Sequence, residues 1–317
     1  MVFKCFAMKL TPPRSLKELA SIINAEYTGD KDHLITGINE INKVEKGDLV
    51  FVDHPKYYDK ALHSAATTII INKKVECPAG KGLIISDDPF RDYNKLVSHF
   101  YRESFSSKQI SDSAIIGEDT FVHPGVFIGN NVRIGKNCVI YPNVVIYDNC
   151  VIGDNVIIHA NTVIGSHGFY FKKRADRFDK MISCGRVVIE DDVEMGACCT
   201  IDKGVSGDTV IGRGSKLDNQ VHIGHDTIIG KMCLIAGQVA VSGACVLEDG
   251  VTLWGQVGIP SKIHIGKNAV FLGQSAPAKS VEGNKTYLGS PSGEAREKMR
   301  EMFYLQRLHE LFEKKKD

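Results

Sequence analysis

From Ile211 onward an aliphatic or aromatic residue returns at every sixth position: Ile211, Leu217, Ile223, Ile229, Ile235, Val241, Leu247, Leu253, Ile259, Ile265 and Phe271. Four residues after each anchor stands a small or β-branched residue: Ser215, Val221, Thr227, Cys233, Val239, Cys245, Val251, Val257, Ile263, Ala269 and Ser275. A period of six with two inward positions matches neither the 3.6-residue helix nor the alternating strand. It is the mark of short parallel strands wound into triangular coils, a parallel β-helix. The anchor and the fourth residue after it face inward, and the other four positions face out. An earlier block carries the same period through Ile116, Val122, Ile128, Ile134, Ile140, Ile146, Ile152, Ile158 and Ile164, and a short one through Ile189, Met195 and Ile201. A break at residues 166–188 and a four-residue excess before Ile211 mark two loops. Nine, three and eleven anchors make 23 hexads. At three hexads per coil this predicts seven to eight coils, a prism roughly 35 Å tall.

The fold class expected is mainly β. Residues 1–105 carry no hexad and read as a small α/β domain: helices over 16–24 and 92–101, strands over 35–38, 49–52, 67–72 and 82–86. Residues 110–280 form the β-helix, and 281–317 a C-terminal helical extension. A β-helix has open strand edges at both ends; the N-terminal domain is suited to cap one and the extension the other. In the extension Ala295, Met299, Met302, Phe303, Leu305, Leu308 and Phe312 make a helical apolar stripe. Two partners suit that stripe equally, the chain's own β-helix or the matching helices of an oligomer.

Lysine plus arginine number 39 against 38 acidic residues, so no overall charge draws the chain to nucleic acid. No apolar run approaches the length of a membrane span, and residues 1–10 lack the pattern of a secretory leader. Met8 is a candidate natural start, which would make residues 1–7 an upstream extension. Of nine cysteines, Cys138, Cys150, Cys199, Cys233 and Cys245 fall on the inward fourth position, where cysteine acts as a small hydrophobe. That usage suits a reducing cytoplasm, and no pair has the spacing of a zinc site.

Hexad β-helices serve acyltransferases, γ-class carbonic anhydrases and purely structural modules, so local sequence has to discriminate. The run GRVVIEDDVEMGACCTIDKGVSGDTVIGRGSKLDNQVHIGHDTIIG from Gly185, with GSHGF from Gly165 and GQVGI from Gly255, resembles the UDP-3-O-(3-hydroxyacyl)glucosamine N-acyltransferases of lipid A biosynthesis. LVFVDHPKYY from Leu49 resembles that family's uridine-binding segment. The resemblance spans nearly the whole chain in the same order. It implies a left-handed β-helix, a cytoplasmic homotrimer with substrate between adjacent prisms, and no cofactor or metal. The implied acyl donor is a 3-hydroxyacyl chain on acyl carrier protein; the implied acceptor is the 2-amino group of a UDP-3-O-acylglucosamine.

His225 matches the family's catalytic base. Histidine is suited to take a proton from an amine near neutral pH, with an ordinary pKa of about 6.5. Gly243 lies 18 residues on, one whole coil, and matches the backbone N–H that stabilises the oxyanion. Asn219 and His222 share the DNQVHIGHD segment and are taken as substrate contacts, His222 standing where many members have glutamine; an exposed His222 without a role fits equally. The family's second active-site histidine is replaced, the matching residues being Pro260, Ser261 and Lys262; Lys262 is a point charge for a phosphate. Phe51 and Tyr57 match the aromatic residues that hold uracil, with His54 where the family has asparagine. The loop 172–180 (KKRADRFDK), with Arg296, Lys298 and Arg300, offers basic surface to an acidic carrier. Alternatives are a sugar-nucleotide N-acetyltransferase using acetyl-CoA, a non-catalytic β-helix that binds nucleotide sugar, and a carbonic anhydrase. The last needs three ligands for zinc, and the spacing of His222, His225, His159 and His264 does not favour it.

Overall fold

The computed structural model describes residues 8–308 apart from 42 and 105, in two compact units. Residues 1–7 and Phe312, which figure in the sequence reading, lie outside the described residues.

In the larger unit the hexads coil as the period requires. Three sheets run along it, of eight, ten and seven strands, parallel throughout the hexads, with one antiparallel pair ending the ten-stranded sheet. Every anchor from Ile211 to Phe271 is at most 3% exposed, and every residue four positions on at most 8%. The first anchor differs: Ile116 is 36% exposed, because it belongs to a terminal coil. Except where the two loops leave, after Ile164 and Ile201, each corner takes a left-handed residue three positions after the anchor. Asparagine supplies it six times at six-residue intervals, Asn131 to Asn161, with φ between 56° and 63°. Asparagine tolerates this region better than most side chains. At another corner Gln220, Gln238, Gln256 and Gln274 stack as an amide ladder with links of 2.7–2.9 Å. The five inward cysteines are buried free thiols. The ten-stranded sheet continues past the hexads through Thr286–Gly289 and Ser292–Glu294 before a helix, Ala295–Gln306. Of the apolar stripe on that helix only Ala295 is buried; Met299, Met302, Phe303, Leu305 and Leu308 are 45–65% exposed. Within one chain the stripe is uncovered.

The smaller unit comprises the N-terminal domain and the two segments that interrupt the hexads, residues 167–187 and 203–209. Four parallel strands, Leu34–Ile38, Asp48–Val52, Thr68–Ile71 and Gly82–Ile85, form its centre. Antiparallel edges flank them, Met8–Ser15 on one side and Glu26–Thr28 on the other. Alternation along each strand feeds two cores. Leu49, Ile70 and Ile84 meet helices Leu16–Ile23 and Pro89–Phe100, while Val50, Val52, Ile69 and Ile71 meet Ala61 of helix Tyr58–Leu62. The helix expected from residue 92 starts at Pro89, because Asp88 caps it and proline suits a first turn.

Candidate active site

The strand His222–Ile223 lies between Thr200–Asp202 and Ala240–Val241. The corner after it presents His225. The next residue, Asp226, has φ 59°, and its carboxylate, 1% exposed, turns back on the imidazole. His225 Nδ1 and Asp226 Oδ2 are 2.9 Å apart. An aspartate there holds the proton on Nδ1, leaves Nε2 as the acceptor, and stabilises the imidazolium that forms when Nε2 takes a proton. One coil on is Gly243. A Cβ on Gly243 would stand 2.5 Å from His225 Nε2 and 2.8 Å from Cδ2 and Cε1. The ring therefore rests on bare backbone, and no other residue leaves it room. Gly243 is buried, and its N–H meets no acceptor among the described residues. A buried donor left unpaired costs about 1–3 kcal/mol, and such a donor is what an oxyanion requires.

The other expected residues distribute unevenly. Lys262 lies on the same edge two coils beyond Asp226, roughly 10 Å by coil spacing; it is exposed and itself occupies the left-handed corner, with φ 65°. His222 sits on the adjoining face, half-exposed, its Nδ1 2.8 Å from Thr200 Oγ1 and its Nε2 3.9 Å from Asp202 Oδ2. Asp202 is held in turn by Ser166 Oγ at 2.7 Å. Asn219 is not brought to His225. It belongs to the corner at the other end of the His222–Ile223 strand, where Oδ1 accepts from Ala197 N–H at 2.7 Å and Nδ2 donates to Asp218 at 3.1 Å. Its amide closes a turn, a task that its place in a functional-looking motif concealed. His159 and His264 pair with Glu194 and Glu248, at 3.5 and 3.0 Å. Among the described residues no three His, Cys, Asp or Glu side chains form a metal-ligating group.

Two features were missed in the sequence. The first is Asp226, whose signal is a histidine followed by aspartate at a corner. The second is a groove of about 560 Å³ along the Asn219 edge. The rings of His123, Tyr141 and His159 stack on successive coils, with centroids 5.1 and 4.8 Å apart. Gly196, Asp218 and Ala236 interrupt this column, and it resumes at Trp254. The gap spans four coil steps, roughly 19 Å. Leu234, Ala236 and Trp254 supply an apolar lining; Glu194, Lys216 and Asp218 supply charge. The chain's single tryptophan, outward and 45% exposed, was the available signal.

In the smaller unit Phe51 lies in the strand Asp48–Val52, and His54 and Tyr57 follow its end. Phe51 packs at 4.8 Å on Tyr93 and edge-on at 6.0 Å on Phe90, so one side of its ring is core. His54 caps a turn, Pro55–Tyr57, by accepting from Lys56 N–H, and Tyr57 is 42% exposed. The loop 172–180 is less basic than its sequence suggests, because Lys172, Arg174 and Arg177 are ion-paired with Asp53, Asp88, Asp176 and Asp179. Lys173 and Lys180 remain exposed.

Coils and site together define a hexapeptide-repeat transferase, and the bacterial hexapeptide transferase repeat model matches residues 113–147 and 131–166. The family model described as UDP-3-O-(3-hydroxymyristoyl) glucosamine N-acyltransferase, LpxD, matches residues 32–99. The UDP-3-O-acylglucosamine N-acyltransferase of Methylobacterium sp. (strain 4-46) is 32% identical over 93% of this chain and 94% of its own. That of Campylobacter lari is 40% identical over 87% of this chain and 92% of its own. The chain belongs to the UDP-3-O-acylglucosamine N-acyltransferase family. Among solved structures, the UDP-N-acetylglucosamine acyltransferase of Bacteroides fragilis 9343 aligns with TM-score 0.54 at 24% identity, over 59% of this chain and 71% of that one. The Campylobacter jejuni counterpart gives 0.53 at 21%, over 58% and 71%. These two establish likeness of fold.

Proposed function

We propose that this enzyme moves a 3-hydroxyacyl chain from acyl carrier protein to the 2-amino group of a UDP-3-O-acylglucosamine. The observation that carries the mechanism is the His225 ring, bonded to Asp226 and lying on Gly243. The sugar nitrogen attacks the thioester carbonyl as His225 Nε2 takes its proton. Negative charge gathers on the carbonyl oxygen, which the Gly243 N–H meets; a donor of this kind is worth about 3 kcal/mol in the transition state. Collapse breaks the C–S bond, and the imidazolium returns a proton to the departing thiolate. The balance needs no cofactor. Phe51, His54 and Tyr57 hold the uracil, His222 contacts the sugar, and Lys262 meets a phosphate of acceptor or donor. The groove from His159 to Trp254 takes an acyl chain.

The working form in this reading is a homotrimer with substrate between adjacent prisms. Its support is that base and groove lie on different edges of one β-helix, and that the C-terminal apolar stripe is uncovered within a chain. Lys173 and Lys180 of the smaller unit, and separately Arg296 and Arg300 of the larger, are exposed cations open to the acidic carrier. A cytoplasmic setting agrees with the free thiols and with the lack, among the described residues, of a helix long and apolar enough to cross a membrane.

The test is mass spectrometry of product from UDP-3-O-acylglucosamine and a panel of carrier-bound and CoA-bound acyl groups. One hydroxyacyl group is gained from the carrier, and His225→Ala loses about 10²–10⁴ in rate with the fold retained. Acetyl gain from CoA would replace the donor assignment, and an active His225→Ala would remove the base.

A further inference from the structure

We propose that Lys172 is a positioning residue for the nucleotide-binding segment, holding Phe51 and the turn after Asp53 in place from behind. The inference rests on the reading of Phe51, His54 and Tyr57 as uridine contacts. Lys172 lies in a hairpin, Phe171–Lys173 paired with Phe178–Lys180, that belongs to the first interruption of the hexads and to the same compact unit as the N-terminal domain. Its ammonium stands 2.5 Å from Asp53 Oδ2 and 3.6 Å from Asp88 Oδ1. Lys172 and Asp53 are 29% and 28% exposed, so water only partly screens the pair.

Two paths lead from the hairpin to the segment. The first runs through Asp53, which is gripped at both ends: Lys172 takes its carboxylate, and its backbone oxygen accepts from Asn72 Nδ2 at 3.2 Å. Asn72 is held by the Tyr58 hydroxyl at 2.6 Å. Between these anchors the chain makes the turn that carries His54 and Tyr57. The second path runs through Phe90. Lys172 and Arg174 lie over its ring, 5.5 and 5.9 Å from the centroid, and Phe90 backs Phe51 edge-on. Arg174 Nη2 also forms an ion pair at 2.7 Å with Asp88, the residue that caps the helix bearing Phe90.

A direct bond from Lys172 to a nucleotide phosphate is the rival role. It is disfavoured because an arriving phosphate would face the carboxylates of Asp53 and Asp88 on the same ammonium. With Lys172 removed, Asp53 keeps a half-buried charge without its cation, and the turn shifts toward water. A misplaced aromatic contact weakens binding while leaving the reacting atoms, on the other unit, unaltered once substrate is bound.

The test uses the full-length enzyme and UDP itself, titrated by calorimetry, together with steady-state kinetics and thermal melting. Lys172→Met weakens UDP by about tenfold, because the shifted turn bearing His54 and Tyr57 has to be drawn back into place on binding. KM for the UDP-sugar rises in proportion, with kcat close to wild type and the melting temperature lowered by no more than a few degrees. Lys172→Arg restores most of the affinity. Asp53→Asn weakens UDP similarly, and the double variant binds no worse than either single one, as coupled partners require. Equal UDP affinity in wild type and Lys172→Met, or a fall in kcat at unchanged KM, overturns the inference. A wild-type enzyme that does not bind UDP removes the nucleotide reading of residues 51–57 and this inference with it.

Discussion

The two compact units hold their candidate functional side chains by different means. On the β-helix, His225 is supported at fixed offsets along the chain, by Asp226 next to it and by Gly243 one coil later. In the smaller unit, Phe51 and Asp53 are supported by Phe90 and Lys172, the latter 119 residues away from Asp53. A coil repeats its geometry, so a support once formed is found at the same place on each turn. The mixed sheet has no such repeat, and each support there is made by a different contact. The contrast implies that the β-helix site tolerates almost no change at its support positions. The segment around Phe51 and Asp53, by comparison, yields gradually as its contacts are trimmed.

The sharpest way to break the comparison is Gly243→Ala. The added methyl would overlap the imidazole, 2.5 Å from Nε2, and push the ring away from the backbone it rests on. The expected loss in kcat is about 10²-fold, with KM nearly unchanged; a variant as active as wild type would mean that His225 does not work from this position. Trp254→Ala comes next. Removing an indole from one end of the groove shifts the preferred acyl chain by several carbons without a comparable loss in maximal rate, read from the same donor panel. An unchanged preference would separate the groove from the acyl chain.

The smaller unit has a pH-dependent support of its own. His167 Nε2 lies 2.9 Å from Glu103, while Nδ1 is buried without a partner. Burial, aided by Lys203 and Lys180, pulls the His167 pKa below 6.5 against the pull of Glu103. Neutral histidine is thus the folded form. Its contribution is complete above pH 6.5 and fades as pH falls from there toward the folded value, because the unfolded chain then binds the extra proton. Thermal melting is expected to drop by a few degrees over that window, and His167→Gln to flatten the slope. An unaltered slope would place the acid sensitivity elsewhere. Burial pushes the Glu103 carboxyl up, but His167 and Lys203 outweigh it and hold the pKa below 4.5, so Glu103 acts only at more acid pH.

The smallest effect concerns the thiols. Burial pushes Cys199 up to about 11 and raises Cys233 and Cys245 in the same sense. Cys198, one residue from Cys199, is exposed. Iodoacetamide at pH 8 is expected to label Cys198 and spare the three inward thiols until the coils unfold. Labelling of Cys245 in the folded enzyme would contradict the inward register.

Much of the larger unit could be read from residue numbers alone. Six-residue spacing assigns each side chain to the inside or the outside, and 18-residue spacing predicts that Gly243 stacks beside His225. Asparagine at every sixth position from 131 to 161 carried a further signal, the left-handed corners, which the anchors by themselves do not show. At Asn219 the regularity did not separate two tasks, since its amide closes a turn and the residue also lines the groove. It was also silent about Asp226 until the turn brought carboxylate and ring together.

For the N-terminal unit the sequence determined the strands and helices, because runs such as LVFV and TIII bury both faces of a parallel sheet. It did not determine what stands behind Phe51, nor that three cations of the loop 172–180 are spent on aspartates. A repeating coil is local: the neighbour that matters is always one coil away, so spacing is sufficient. Support for the segment around Asp53 comes from a hairpin more than a hundred residues distant, and only the tertiary structure brings that charge and its counter-charge within hydrogen-bond reach.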